Sequence, residues 1–173
     1  KDEFLKKGFS EAELLEAGLL NQRSIADKNS YDRFRNRLIF PIMDVRRRVV
    51  GFGGRSLDAQ EPKYLNSPET PLYQKGRHLF GLAQAKDAII ERKAAVVVEG
   101  YFDCVTLAGA GLTHVVSPLG TAFTEDQVRL LRRYTQEVVL AFDADAAGEL
   151  ATLRGLDLLV EGGCRVRIAR LPA

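Results

Sequence analysis

The second half of the chain alternates between two hydrophobic periods. Residues 94–98 (Ala-Ala-Val-Val-Val) form a short apolar run rich in β-branched side chains, the pattern of a strand buried on both faces of a parallel sheet. A helical pattern follows over 101–110, then a second apolar run at 113–117. Thr124-Glu125-Asp126-Gln127 is a capping box, which starts a helix through 133. A strand at 137–142, a helix at 146–161 and a last strand at 165–169 complete the series. This β-α-β-α-β-α-β order predicts an α/β fold, a small parallel sheet with helices on both faces, since parallel neighbours are joined by right-handed crossovers.

The first half is less regular. Ser10-Glu-Ala-Glu13 is another capping box, opening a short helix with Leu14 and Leu15 on its apolar face and Gly18 at its end. Residues 20–30 read as loop. Strands are predicted over 37–45 and 48–57, an antiparallel hairpin turning around Val45-Arg46-Arg47. The segment from Pro62 to Pro71 is too polar for burial and reads as a surface loop, and 82–93 as a helix with Leu82, Ala85 and Ile89 on one stripe. The expected division lies near Lys93, between a mixed α+β subdomain over 1–93 and the parallel-sheet domain over 94–173.

With 173 residues, 46% of them apolar, the chain can build a core, and no apolar run approaches a membrane span. It opens at Lys1 without a leader and ends at Ala173, so a fragment of a longer protein is expected. Cys104 and Cys164 lack metal-ligand spacing and read as small core residues of an intracellular, cytoplasmic protein. The net charge of +2 conceals an asymmetry: residues 1–93 carry 18 Lys+Arg against 13 Asp+Glu, and residues 94–173 carry 7 against 10. A basic half joined to an acidic half suits a polyanion held beside a metal site, and equally an unevenly charged solvated surface. Arg46-Arg-Arg48 reads as solvated. His78 and His114 lack partners at catalytic spacing and read as structural.

The candidate chemistry lies at strand ends. Glu99, followed by Gly100, ends the buried run at 94–98, and Asp143-Ala-Asp145 ends the run at 137–142. Open α/β sheets bind ligands at the carboxyl ends of their strands. Asp143 and Asp145 are two apart and point the same way on an extended segment. Three converging carboxylates repel one another, and a hard divalent cation such as Mg²⁺ or Mn²⁺ removes that penalty. Asp103, one turn beyond Glu99, is a weaker further ligand. The plainer reading makes Asp143 and Asp145 turn residues, and Glu99 and Asp103 acids favoured by a helix dipole. Gly51-Phe-Gly-Gly54 lacks the lysine and following helix of a P-loop, so its glycines read as points of close backbone approach.

Glu99-Gly-Tyr-Phe-Asp103, Leu119-Gly-Thr121 and Phe142-Asp-Ala-Asp-Ala-Ala-Gly148 resemble the Toprim domain shared by bacterial primases and topoisomerases. Tyr31-Asp-Arg-Phe-Arg35, Phe40-Pro-Ile42, Gly51-Phe-Gly-Gly-Arg55, Lys63-Tyr-Leu-Asn-Ser-Pro-Glu-Thr70 and Lys75-Gly76 are similar to the basic subdomain of bacterial, DnaG-type DNA primase. The motifs run in that family's order and span essentially the whole chain. Phe102 stands where the family usually has Met, Ala144 where Gly is usual, and Arg47 at a hairpin position that often holds Gly.

The resemblance implies a Toprim domain preceded by a basic subdomain, together the central RNA polymerase region of a primase. It implies primer synthesis on single-stranded DNA from ribonucleoside triphosphates, with Glu99, Asp143 and Asp145 as catalytic metal ligands. Mg²⁺, with Mn²⁺ able to substitute, would activate the primer 3′-hydroxyl and stabilise the leaving pyrophosphate. Arg55, Lys63 and Lys75 would hold nucleotide or template phosphates, and Tyr64 and Asn66 would stack on or hydrogen-bond a nucleotide. Family parts expected outside this sequence are a zinc-binding amino-terminal domain, an acidic motif after the last strand, and a carboxyl-terminal domain that meets the replicative helicase. A fragment of this kind is expected to bind better than it catalyses. Two rivals share these features: a Toprim nuclease or topoisomerase, and a non-catalytic module that binds single-stranded nucleic acid.

Overall fold

The structure is a computed structural model that describes residues 1–22, 29–58, 61–120, 123–142 and 146–169, the side chains of 146–153 excepted. Packing divides the chain into two compact units, Lys1–Ile42 with Val49–Gln74, and Met43–Arg48 with Lys75–Ala173. The sequence division near Lys93 follows charge and the onset of strand–helix alternation. Packing instead places the preceding helix with the sheet, because Leu82, Ala85 and Ile89 are buried in the sheet's core.

The first unit opens with α1 (Asp2–Lys6), which the sequence pattern does not announce, and α2 (Glu11–Glu16). Ser10 caps α2 as expected: its hydroxyl accepts the Glu13 N–H, while the Glu13 carboxylate accepts the Ser10 N–H at 2.7 Å. Residues 20–30 are not simply loop. β1 (Leu20–Gln22) and β2 (Ser30–Asp32) pair antiparallel, and three residues are too few to show an alternation in sequence.

The predicted hairpin is present as β3 (Arg37–Met43) and β4 (Val49–Ser56). Pro41 is tolerated because β3 lies at the edge of the sheet. At the turn, Asp44 Oδ1 accepts the N–H groups of Arg46 and Arg48, and Arg47 adopts φ 64°, the left-handed conformation that suits the glycine often found there. A correction concerns the proline-bearing segment. Tyr64–Asn66 is a strand, β5, paired antiparallel with β4 in the register Arg55↔Tyr64 and Gly53↔Asn66. Its stabilisation is backbone pairing on β4 rather than side-chain burial, since Tyr64 stays 43% exposed. The β4 glycines act as the sequence suggests: a Cβ at Gly51 would lie 3.0 Å from the Tyr73 ring, and one at Gly54 would lie 3.0 Å from Phe34.

The second unit begins with a 3₁₀ turn at Lys75–Arg77 and α3 (Leu82–Arg92). There follow β6 (Ala95–Val97), α4 (Tyr101–Gly109), β7 (Val115–Val116), α5 (Glu125–Leu131), β8 (Glu137–Leu140), α6 (Ala146–Glu161) and β9 (Arg165–Ile168). The four strands form one parallel sheet in the order β7-β6-β8-β9. Alternate residues feed two cores. Ala95, Val97, Val138 and Leu140 pack with residues of α3, α5 and α6, whereas Val96, Val98, Val139 and Ala141 pack with Cys104 and Leu107 of α4. Helices therefore cover both faces, and both cysteines are buried free thiols, with burial pushing Cys104 up to about 12. No helix of the described residues is long and apolar enough to cross a membrane.

His114, just before β7, is 8% exposed and its Nδ1 makes no hydrogen bond. Burial first, and the Arg92 charge second, hold its pKa below the ordinary 6.5. The unfolded chain therefore takes up this proton first as pH falls. The stability that neutral His114 contributes is present above pH 6.5 and lost as pH drops through the interval below it. Urea midpoints should decline from pH 7 to pH 5, and His114→Gln should flatten part of that decline. An unchanged slope in the variant would clear His114 as the cause.

Candidate functional site

The strand order creates a specific crevice. From β6 the chain passes to β7 on one side, then returns to β8 on the other, so the connections diverge between β6 and β8. Ligands of open α/β sheets bind at such a switch point, outside the carboxyl ends of the strands. Val97 pairs with Leu140 in register, and the Ala141 N–H donates to the Val97 carbonyl at 2.8 Å, so the two strand ends finish side by side. Glu99, half-buried, stands two residues beyond the end of β6 on this rim. Asp143 and Asp145 follow the end of β8 in sequence and lie outside the described residues, as does Thr121.

Asp103 is exposed, and its Oδ2 accepts the Gly100 N–H at 3.0 Å. It thereby closes the first turn of α4, directly behind Glu99. Among the described residues no three Asp, Glu, His or Cys side chains gather into a metal cluster. Glu99, the described acid on this rim, offers only oxygen donors, which suits Mg²⁺ or Mn²⁺ rather than zinc.

The basic candidates fall in two places. Arg55, Lys63, Tyr64 and Asn66 come together on the β4–β5 pair of the first unit. The Arg55 guanidinium lies 5.6 Å from the Tyr64 ring centroid and the Lys63 ammonium 6.0 Å from it, an arrangement that leaves the partly exposed ring flanked by two cations. The register puts Arg55, Tyr64 and Asn66 on one face. Lys75 belongs to the second unit, in the 3₁₀ turn before α3.

Two residues emerge that the sequence did not single out for function. Arg33 donates from Nε (3.1 Å) and Nη2 (2.8 Å) to the Asn66 carbonyl, and from Nη1 to Asn21 at 2.8 Å. This two-pronged grip anchors the end of β5, and burial draws the Arg33 pKa below its ordinary value. Gln127, foreseen only as a helix cap, is fully buried, and its amide also donates to the carbonyls of Lys75 and His78. Arg33 stands in the motif Tyr31-Asp-Arg-Phe-Arg35, which marks it as notable without revealing its partner. Nothing local to Gln127 signals a bond 52 residues away.

A parallel sheet in this order, with an acid at its switch point and a mixed α+β unit preceding it, defines a Toprim-type protein. Comparison with known families agrees: residues 1–86 match the DNA primase catalytic core, N-terminal domain, and residues 96–173 match a Toprim-like domain. The chain belongs to the bacterial DNA primase family, as part of the DnaG-type catalytic core with its Toprim domain. It is 52% identical over 171 residues to DNA primase of Clostridium acetobutylicum, covering 98% of this chain and 28% of that protein. A DNA primase domain from Pseudomonas aeruginosa superposes with a TM-score of 0.88 at 42% identity, covering 98% of this chain and 55% of the other. A DnaG primase catalytic domain bound to single-stranded DNA gives a TM-score of 0.87 at 43% identity, with 99% and 55% covered.

Replacing Arg33 by Ala should cost about 2 kcal/mol in folding stability, because charged hydrogen bonds are lost from a partly buried carbonyl. Arg33→Lys should recover only part of this, since an ammonium cannot grip with two prongs. Thermal denaturation of the three proteins checks the order wild type, Lys, Ala.

Proposed function

We propose that this chain is the catalytic region of a cytoplasmic, DNA-templated RNA polymerase that makes short primers on single-stranded DNA by metal-dependent nucleotidyl transfer. The observation that carries the reading is Glu99 at the switch point of a Toprim sheet, beside the strand that leads into Asp143 and Asp145. The DnaG primase catalytic domain bound to single-stranded DNA, so similar in fold, supports the choice of template. Ribonucleoside triphosphates are the proposed substrates and the RNA primer the product, with the replicative helicase a partner of the whole protein.

Glu99, Asp143 and Asp145 hold Mg²⁺, or Mn²⁺ in its place, and Asp103 keeps the turn behind Glu99 closed. When bound, the cation supplies charge neutralisation at the attacking and leaving oxygens. Arg55 and Lys63 take phosphates from the β4–β5 face, where Tyr64 offers its ring to a base and Asn66 its amide. Lys75 places a mobile positive charge on a triphosphate. The protein contributes positioning and electrostatic stabilisation, which account for nearly all of the catalysis in phosphoryl transfer. Primer synthesis from ribonucleotides, assayed beside nicking of supercoiled DNA, tests the proposal. Nicking without synthesis would overturn it in favour of a nuclease.

Glu99→Gln and Asp143→Asn should each weaken Mn²⁺ binding by more than about tenfold. Neither should lower thermal stability without metal, since each removes like-charge repulsion. Calorimetric titration of Mn²⁺ into each variant is the measurement, and unchanged affinity in both would refute the ligand assignment. Replacing Arg55, Lys63 and Lys75 together by Ala should weaken single-stranded DNA binding and flatten its dependence on salt, by about one unit of log–log slope per lost phosphate contact. A wild-type slope would make the cluster a solvated face.

A further inference from the structure

The 3₁₀ turn carrying Lys75 is held by side chains from a distant helix. Such a turn has few internal bonds, and its carbonyls need outside donors. The Gln127 amide nitrogen donates to the Lys75 carbonyl at 3.3 Å and to the His78 carbonyl at 2.8 Å. The Thr124 hydroxyl donates to the Gly76 carbonyl between them. Three of the four carbonyls from Lys75 to His78 are thus taken by two residues of one capping box. The same box is closed internally, with the Gln127 side-chain oxygen accepting the Thr124 N–H at 3.1 Å and the Thr124 hydroxyl accepting the Gln127 N–H at 3.2 Å. Gln127 is 0% exposed and uses both ends of its amide. Gly76 lets the turn come close, for a Cβ there would lie 3.3 Å from Thr124 Cγ2. Leu79, buried in the core, fixes the chain just beyond.

We propose that Thr124 and Gln127 are positioning residues for Lys75, clamping its backbone so that the ammonium is presented to a nucleotide triphosphate. The proposal rests on the nucleotide-binding reading of Lys75 given above. Lysine carries its charge on a flexible stem, so a fixed backbone is the part of its geometry that the fold can set. A buried amide facing two carbonyls also makes the clamp specific, because a carboxylate in its place keeps the helix cap and loses the donor.

The experiment is ATP binding to the full chain in Mg²⁺ buffer, read by fluorescence anisotropy, with far-ultraviolet circular dichroism and melting as folding controls. Gln127→Glu and Thr124→Val should each weaken ATP binding by about tenfold, and Thr124→Ser, which keeps the hydroxyl, should stay within about twofold of wild type. The double variant Lys75→Ala/Gln127→Glu should bind no more weakly than Lys75→Ala alone, since the clamp acts only through that lysine. Additive losses would show that Gln127 serves general stability, and would overturn the proposal while leaving the role of Lys75 intact. Wild-type affinity in Lys75→Ala alone would remove the nucleotide-binding reading itself, and the clamp with it. If Gln127→Glu fails to fold, Thr124→Val combined with Lys75→Ala makes the same decision.

Discussion

The parallel pairing of β6 with β8 is the constraint on which the sheet unit depends. Val97 against Leu140, continued by the Ala141 N–H on the Val97 carbonyl, sets two strand ends level at one rim. A shift of register by one residue would exchange the two faces of each strand, sending Val97 and Leu140 away from α3, α5 and α6. The hydrophobic effect therefore fixes the register, and the register fixes where Glu99 stands. An acid at this place is costly in the apo protein if other acids join it, and that cost is the reason a cation has affinity for it.

The first unit solves a different problem with little apolar material. Its sheet carries three glycines in β4, and two of them, Gly51 and Gly54, admit the Tyr73 ring and Phe34 against the backbone. The polar strand β5 is then held by its pairing with β4 and by Arg33, which takes the Asn66 carbonyl from the side. Side chains freed from packing can face solvent, and Arg55, Lys63 and Tyr64 do so together. Glycine in a strand usually weakens it, so here close approach compensates for the lost side chains.

A common device runs through both units, in which a donor side chain captures backbone carbonyls of a segment with too few bonds of its own. Arg33 does this for β5, Gln127 and Thr124 for the turn at Lys75–Arg77, and Lys86 for the Val45 carbonyl at 3.1 Å. Buried polar groups are expensive to leave unpaired, so each such contact fixes a loop more firmly than surface ion pairs would. The loops thereby become suitable carriers of functional residues while remaining irregular.

The sequence by itself determined the strand–helix order of the sheet unit, both serine/threonine capping boxes, the hairpin turning at 45–47 and the burial of Leu82, Ala85 and Ile89. These are local matters, decided by side-chain period and by cap residues three positions apart. It also identified Glu99 as a strand-end acid, because apolar runs end visibly. The tertiary structure alone decided that β6 and β8 flank the switch point, since strand order is a choice among neighbours that periodicity does not encode. It alone made strands of Tyr64–Asn66 and Leu20–Gln22, whose stabilisation comes from a partner's backbone rather than from their own side chains. The roles of Arg33 and Gln127 were hidden for the same physical reason: their partners are carbonyl groups, identical in every residue, brought close by the fold from 33 and 52 positions away.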